Sequence, residues 1–125
     1  MVRPKEKNDA APIHADAWFW ELGHSTTPNN RIRIKVWIGI YVKKGFNGFV
    51  YIPGSQNKEW AYRSVLKDGF NKPVIEVAVD SLNPVLFNGE PGDAIIFHDR
   101  LLHGGAVGRG DFTRVSLEFT MFVKP

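Results

Sequence analysis

The residues best suited to carry chemistry are two histidines and one aspartate. His14 and Asp16 are two positions apart, and on an extended strand this spacing sends both side chains to the same face. His103 stands just beyond an apolar run and precedes two glycines, which give its loop unusual conformational freedom. Two imidazoles and one carboxylate on one face of an octahedral iron leave three positions open, as oxygenases require. The sequence therefore predicts a catalytic metal site formed by His14, Asp16 and His103.

The His-x-Asp pair alone is weak evidence, because polar surface pairs with this spacing arise by chance and are usually just solvated. The distal histidine and its glycine loop favour the metal interpretation. The other two histidines are less suited to bind a metal. His24 lies in a polar segment and is expected to be exposed. His98 adjoins an apolar run and is expected to be a structural histidine that hydrogen-bonds a neighbour.

Downstream of His103, Arg114 and Ser116 are expected on one face of a strand. A guanidinium group binds a carboxylate through two parallel hydrogen bonds, and a nearby hydroxyl adds a third. The pair therefore predicts a clamp for a dicarboxylate. Arg114 could instead pair with a surface acid such as Glu118, worth at most about 1 kcal/mol, and Ser116 could simply face water.

These residues must be positioned by short strands, since 12 Gly and 8 Pro separate runs rich in Val, Ile, Phe and Tyr. Over residues 31–42 every even position is apolar, which predicts a long two-faced strand. Trp37, on its odd face, is either a core aromatic or a cavity lining. The segment 57–66 is expected to be irregular or briefly helical, and further strands are expected at about 49–52, 74–79, 85–87, 94–98 and 113–123. The pattern favours an antiparallel all-β sandwich or barrel.

Composition narrows the remaining possibilities. The 125 residues suit one domain, with a flexible lead-in over residues 1–12. A net charge of +3 with dispersed basic residues argues against nucleic-acid binding. Apolar runs are too short to cross a bilayer, so no membrane partner is expected. The absence of cysteine excludes disulfides and thiolate metal sites and suits a reducing, cytoplasmic location.

The ordered motifs resemble the phytanoyl-CoA dioxygenase-like branch of the Fe(II)/2-oxoglutarate oxygenases over residues 12–122. The family's pattern is a His-x-Asp pair, a distal His and a downstream Arg, which here are His14, Asp16, His103 and Arg114. Two further stretches look like family segments: the Gly48–Gln56 run, which ends in a Pro-Gly-Ser turn, and the Gly92–His98 run before the distal histidine. Two features depart from it: relatives are usually longer at the N-terminus, and Gly108 stands where they often carry Asn.

This resemblance implies a double-stranded β-helix, or jelly roll, over residues 13–125, compact and lacking the usual N-terminal helical region. It implies Fe(II) as cofactor, with 2-oxoglutarate and O₂ as co-substrates. His14, Asp16 and His103 would bind the iron, Arg114 and Ser116 would bind 2-oxoglutarate, and Trp37 would lie against it. Because relatives that halogenate lack the carboxylate ligand, Asp16 favours hydroxylation of a small organic substrate, with release of succinate and CO₂.

Two alternatives remain open at the level of sequence. A truncated, non-catalytic jelly roll that binds a small ligand would explain the short chain, and a cupin-like metalloenzyme would use the same ligands without 2-oxoglutarate. The apolar even face of residues 32–42 could support a homodimer. Substrate contacts are expected after the Pro-Gly-Ser turn, from Gln56, Lys58, Trp60, Tyr62 and Arg63.

Overall fold

The structure, a computed structural model, describes residues 12–42, 48–105 and 114–125, which form eight strands and one short α-helix. The elements are α1 (Asp16–Glu21), β1 (Ile32–Tyr41), β2 (Phe49–Tyr51), β3 (Tyr62–Lys67), β4 (Phe70–Ile75), β5 (Val85–Phe87), β6 (Ala94–His98), β7 (His103–Gly105) and β8 (Val115–Val123). Two 3₁₀ turns lie at Ser55–Asn57 and Val79–Leu82. The predicted lead-in up to residue 11, the turn residues 45–47 and Gly108 lie outside the described residues.

The strands form two antiparallel three-stranded sheets and one hairpin. The first sheet has the order β6-β1-β8 and the second has the order β5-β2-β7, while β3 pairs with β4. The two sheets pack through aromatic side chains: the Phe49 ring of β2 lies 5.1 Å from Phe97 of β6 and 5.4 Å from Trp37 of β1. The predicted all-β, jelly-roll-like fold is confirmed.

Strand β1 has an inner face and an outer face, because successive side chains of a strand point in opposite directions. On its inner face, Lys35 lies opposite Phe97 and Thr120, and Trp37 lies opposite Glu118. On its outer face the apolar even positions lie opposite apolar residues of β6 and β8, apart from Ile34, which lies opposite His98 in β6. Among the described residues, eight large hydrophobic residues of this sheet are exposed: Ile32, Ile40, Tyr41, Ile96, Val115, Leu117, Phe119 and Phe122. The homodimer expected from this face stays a prediction.

The hairpin β3-β4 replaces the irregular segment expected at 57–66 and shifts the strand expected at 74–79. Its two-residue loop is Asp68-Gly69, and both residues have positive φ angles, of 53° and 80°. A two-residue loop with both φ angles positive is a type I′ turn, which Asp-Gly favours. The dipeptide was therefore an available signal for this hairpin.

A second difference concerns the His-x-Asp pair, which does not lie on one extended strand. His14 forms an isolated β-bridge, whereas Asp16 is the first residue of α1. The two side chains therefore meet because the chain turns into a helix after Ala15, whose backbone is still extended. Among the described residues, no helix combines the length and hydrophobicity needed to span a bilayer.

A substitution of Leu102 tests the core cluster that lies beside His103. Its side chain is 0% exposed and packs in a cluster with Ile13, Trp18 and Ile52. We expect Leu102→Ala to lower the free energy of unfolding by about 2–5 kcal/mol, because a buried cavity replaces packed atoms. Urea unfolding followed by tryptophan fluorescence measures the loss.

Leu66→Ala is the matched control, since Leu66 is 71% exposed on the hairpin. We expect it to change the free energy of unfolding by no more than about 0.5 kcal/mol. Similar losses in the two variants would contradict the assignment of Leu102 to the core.

Candidate metal centre

The backbone joins His14 directly to His103. The amide of His14 donates to the carbonyl of His103, and the amide of His103 donates to the carbonyl of His14, both at 2.9 Å. Such an exchange of two hydrogen bonds fixes the positions of both residues as a pair within an antiparallel ladder. His103 also begins β7, where it lies opposite Tyr51 of β2. The two histidines are thus held together by the sheet itself.

Each imidazole ring is oriented by a hydrogen bond to the carbonyl oxygen of the residue two positions earlier. His14 Nδ1 lies 2.7 Å from the carbonyl oxygen of Pro12, and His103 Nδ1 lies 2.9 Å from that of Leu101. A carbonyl oxygen only accepts hydrogen bonds, so each Nδ1 must carry the proton and donate it. In each neutral ring, Nε2 then offers a lone pair, the form in which histidine binds a metal.

Asp16 is carried into the site by α1. The amide of Ala17, next in the helix, donates to the carbonyl of Asp99 at 2.9 Å. The Asp99 side chain is in turn bound by Arg33 of β1, with Nε donating to Oδ2 at 2.6 Å. A partly buried ion pair between sheet and loop therefore holds the residue to which the start of the helix is hydrogen-bonded.

The side chains of His14, Asp16 and His103 converge on one point. Asp16 Oδ1 lies 3.2 Å from His14 Nε2, and Asp16 Oδ2 lies 3.5 Å from His103 Nε2. One ligand atom from each residue lies within 4.8 Å of the others, so the three could hold a metal ion. Among the described residues, Asp16 Oδ2 and His103 Nε2 are buried without a hydrogen-bond partner. A cation between them would satisfy both, and the residues present therefore fit a metal.

The ionisation of the cluster also suits a cation. Burial raises the pKa of Asp16, but a hydrogen bond from His14, the charge of His103 and a hydrogen bond with Glu118 outweigh it, so this pKa falls well below its usual range. Burial lowers the pKa of His14, but its contacts with Asp16 and with the Pro12 carbonyl outweigh this effect, and the pKa is raised. The carboxylate is thus negative at neutral pH, while His14 holds a proton more readily than usual.

Two charged residues of the site were missed by the sequence interpretation. The ammonium of Lys35, on the inner face of β1, lies 3.6 Å from Asp16 Oδ2, 3.5 Å from Glu118 Oε1 and 2.8 Å from Thr120 Oγ1. Glu118 Oε1 lies 3.8 Å from His103 Nε2. The sequence shows that polar residues alternate along both strands, but the pairing of β1 with β8 is what turns this polar face inward.

The predicted co-substrate residues lie further along the same inner face. Arg114 is buried and its Nη1 donates to the Gly48 carbonyl at 2.6 Å. Trp37 is buried and its ring also adjoins Gly48, where an added Cβ would lie 3.7 Å from it. Ser116 pairs with Gly39 of β1 and shares the face of Glu118. Trp37 and Ser116 thus lie on the inward side of the first sheet, and Arg114, directly before β8, reaches inward to Gly48.

A cavity of about 250 Å³ adjoins Asp16 and Lys35. Its other lining residues are Phe19, Trp20, His24, Ser25 and Thr120. The predicted substrate residues Lys58, Trp60 and Tyr62 instead line a cavity of about 100 Å³ together with Trp18 and Glu21. Gln56 and Arg63 line neither of these two cavities. The role of this segment in substrate binding therefore stays a prediction, with Trp60 and Tyr62 packed against the core cluster that contains Ile13 and Ala15.

The other histidines lie apart from the ligand cluster. His24 is exposed, borders the cavity of about 250 Å³ and contacts the carbonyl of Asn71 through Nε2. His98 has a 58% exposed side chain, and its Nδ1 accepts a hydrogen bond from the Arg100 amide at 3.1 Å. Both placements agree with the roles expected from the sequence.

Comparison with known proteins supplies the family. No curated protein and no solved structure matches the chain significantly. The family model described as phytanoyl-CoA dioxygenase (PhyH) matches residues 1–116, a range that includes His14, Asp16, His103, Arg114 and Ser116. The match covers most of the chain and agrees with the jelly-roll-like fold and with the convergence of the three ligand residues. The chain therefore belongs to the phytanoyl-CoA dioxygenase family, whose members are dioxygenases that generally depend on Fe(II) and 2-oxoglutarate.

Proposed function

We propose that this protein is an Fe(II)- and 2-oxoglutarate-dependent dioxygenase that hydroxylates a small organic substrate and releases succinate and CO₂. The observation that carries the proposal is the convergence of His14, Asp16 and His103, with buried donor atoms that have no hydrogen-bond partner among the described residues. Family membership supports the same reaction class.

In this proposal His14, Asp16 and His103 hold the iron, which would supply the activation of O₂. The protein contributes position and a dry environment. The His103 ring is stacked on Phe49 at 5.1 Å and packs against Phe97 at 4.7 Å, so the distal ligand sits in an aromatic wall. Excluding water at this wall strengthens every electrostatic interaction inside the site.

The co-substrate site is proposed at the end of the inner face that carries Arg114. A guanidinium group matches a carboxylate through two parallel hydrogen bonds, and the Ser116 hydroxyl can add another. Trp37, which packs between Gly48 and Phe49, would form the apolar side of this site. Burial of Arg114 strengthens its interaction with an anion, because water screens it less.

The prime substrate is proposed to enter the 250 Å³ cavity beside Asp16. Phe19 and Trp20 give this cavity an apolar wall, while Lys35 and Thr120 provide polar groups. A small organic molecule with a polar end fits such a lining. Action on a small molecule in the cytoplasm, without nucleic-acid or membrane partners, stays a prediction.

A second candidate, a non-catalytic jelly roll that binds a small ligand, is favoured by one observation. Lys35 lies 3.6 Å from Asp16, so an ammonium can offset the carboxylate charge without any metal. Metal binding separates the two candidates. In an anaerobic titration with Fe(II) and then 2-oxoglutarate, the dioxygenase develops the weak visible absorption band of the chelated co-substrate. A folded protein that shows neither iron binding nor this band would instead be the binding module.

Removal of the carboxylate ligand tests the metal centre. We expect Asp16→Ala to abolish or greatly weaken binding of Fe(II), because the site loses its only negatively charged member among the three ligands. Binding is measured anaerobically by equilibrium dialysis. Asp80→Ala removes an exposed carboxylate of a 3₁₀ turn and serves as the control, with unchanged affinity expected. Equal affinity in wild type and Asp16→Ala would rule out this ligand set.

The raised pKa of His14 predicts a pH dependence of metal binding. A metal needs the unprotonated Nε2, so protons compete with it as the pH falls through this pKa. We expect affinity for Mn(II), a redox-stable substitute, to fall between about pH 8 and about pH 6, by at most about tenfold per pH unit for each proton displaced. Electron paramagnetic resonance counts the free Mn(II) at each pH. An affinity that does not change over this range would contradict the participation of His14.

Truncation of Arg114 tests the co-substrate clamp. We expect Arg114→Ala to raise the half-saturating 2-oxoglutarate concentration roughly ten- to hundredfold, as for the loss of a charge-assisted hydrogen-bond pair. Fe(II) affinity should stay near that of wild type. Arg114→Lys keeps the charge without the planar fork and should give an intermediate value.

Arg63→Ala removes an exposed cation from β3 and is the control, with no change expected in either affinity. Circular dichroism checks that Arg114→Ala remains folded, since Arg114 also binds the Gly48 carbonyl. Unaltered co-substrate dependence in a folded Arg114→Ala protein would exclude the clamp.

A further inference from the structure

Glu118 stands beside the metal ligands and lies beyond residue 116, the last residue matched by the family model. It projects from the inner face of β8, opposite Trp37. Its Oε1 is 3.8 Å from His103 Nε2, and its carboxyl group contacts that of Asp16. A second carboxyl group therefore lies at the edge of the three-residue cluster, next to His103, while the group of ligand atoms within 4.8 Å of one another comprises His14, Asp16 and His103.

Two carboxylates in contact repel one another unless a cation lies between or beside them. Lys35 supplies one such charge, at 3.6 Å from Asp16 and 3.5 Å from Glu118. His103 Nε2 is directed at the same place from a side chain that is 3% exposed, and it has no hydrogen-bond partner among the described residues. This lone pair, with the carboxyl groups of Asp16 and Glu118 at 3.5 Å and 3.8 Å from it, provides the ligand atoms for a second cation here.

We propose that Glu118 is a fourth, displaceable ligand of the metal held by His14, Asp16 and His103. Adjacent ligands of an octahedral ion with bonds of about 2.1 Å are separated by roughly 3 Å. The separations of 3.2 Å and 3.5 Å within the three-residue cluster are close to this value, and the 3.8 Å from His103 to Glu118 is only slightly longer. The Glu118 side chain is 35% exposed, so a small rotation into the site meets little steric resistance.

The consequence for the co-substrate rests on the proposed function. Three protein ligands leave three positions open, and a chelating keto acid with O₂ needs all of them. With Glu118 bound, two positions would stay open, which is enough for the chelating keto acid but not for O₂ as well, so Glu118 would have to leave the metal before O₂ could bind. Lys35, fixed by Thr120 at 2.8 Å, can retain the displaced carboxylate at its present distance. Glu118 would thus keep closed the position that O₂ needs.

The first test measures Mn(II) affinity by electron paramagnetic resonance, without turnover. We expect Glu118→Gln to weaken Mn(II) binding roughly tenfold or more, because a charged ligand becomes a neutral one. Glu118→Asp keeps the charge but withdraws the oxygen atoms, so it should also bind Mn(II) more weakly than wild type. Glu76→Gln neutralises an exposed glutamate after β4 and should match wild type.

The second test titrates 2-oxoglutarate into each Fe(II)-loaded protein under anaerobic conditions. Glu118→Gln should reach half-saturation at a 2-oxoglutarate concentration close to that of wild type, because two open positions suffice for chelation, and its absorption band should decay faster than that of wild type on mixing with O₂. A higher requirement in this variant would overturn the displacement and make Glu118 a group that helps to bind the co-substrate.

The outcomes separate this inference from the proposed function. Wild-type protein that binds no Mn(II) overturns both. Wild type that binds Mn(II) with the same affinity as Glu118→Gln overturns only the fourth ligand and leaves the three-residue centre intact. Full affinity in Glu118→Asp, with weak binding in Glu118→Gln, would show that the charge alone matters and would overturn direct ligation.

Discussion

The candidate centre depends on one pair of backbone hydrogen bonds, the reciprocal exchange between His14 and His103. It joins two segments that are distant in sequence, so the backbone itself brings the two imidazole rings together. Each ring is then fixed by the carbonyl of the residue two positions earlier, Pro12 in one segment and Leu101 in the other. The same local geometry thus occurs on both sides of the bridge. The geometry of the two nitrogen ligands is therefore a property of the backbone and is present without a metal.

Buried charges determine how the carboxylate joins these histidines. The Asp99 carbonyl holds the start of α1, and its side chain is bound by Arg33, whose guanidinium carbon also lies 4.7 Å from the centre of the Trp20 ring. A buried carboxylate without a counter-charge is costly, and Lys35 reduces this cost for Asp16. In the proposed function, the same ammonium would compete with a metal for Asp16, because both cations approach its Oδ2 atom.

The sequence was sufficient for the fold class and for selecting three residues that the fold brings together as candidate ligands, because strand alternation and ligand chemistry are both local signals. It was not sufficient for α1, a helix of six residues that has no side-chain cap and is rich in aromatics that also favour strands. Lys35 and Glu118 were missed for another reason. Charged residues on an alternating strand usually face water, and only the pairing of β1 with β8 shows that this polar face is turned inward. Which face is buried is a property of the whole fold, so local pattern cannot supply it.

The inner face of β8 arranges the proposed functions in order along one strand. Thr120 and Glu118 lie at the level of Lys35 and the ligand cluster, whereas Ser116 and then Arg114 follow toward Gly48. Residues two apart on a strand are separated by roughly 6.8 Å, a distance similar to the length of a five-carbon dicarboxylate. A dicarboxylate with one end at Glu118 would therefore extend its other end toward Ser116 and the Arg114 guanidinium. In the proposed function, strand spacing would thus set the distance from the metal centre to Ser116, whereas the register shift opposite Gly39 and Tyr41 and the hydrogen bond to the Gly48 carbonyl determine where the Arg114 guanidinium lies.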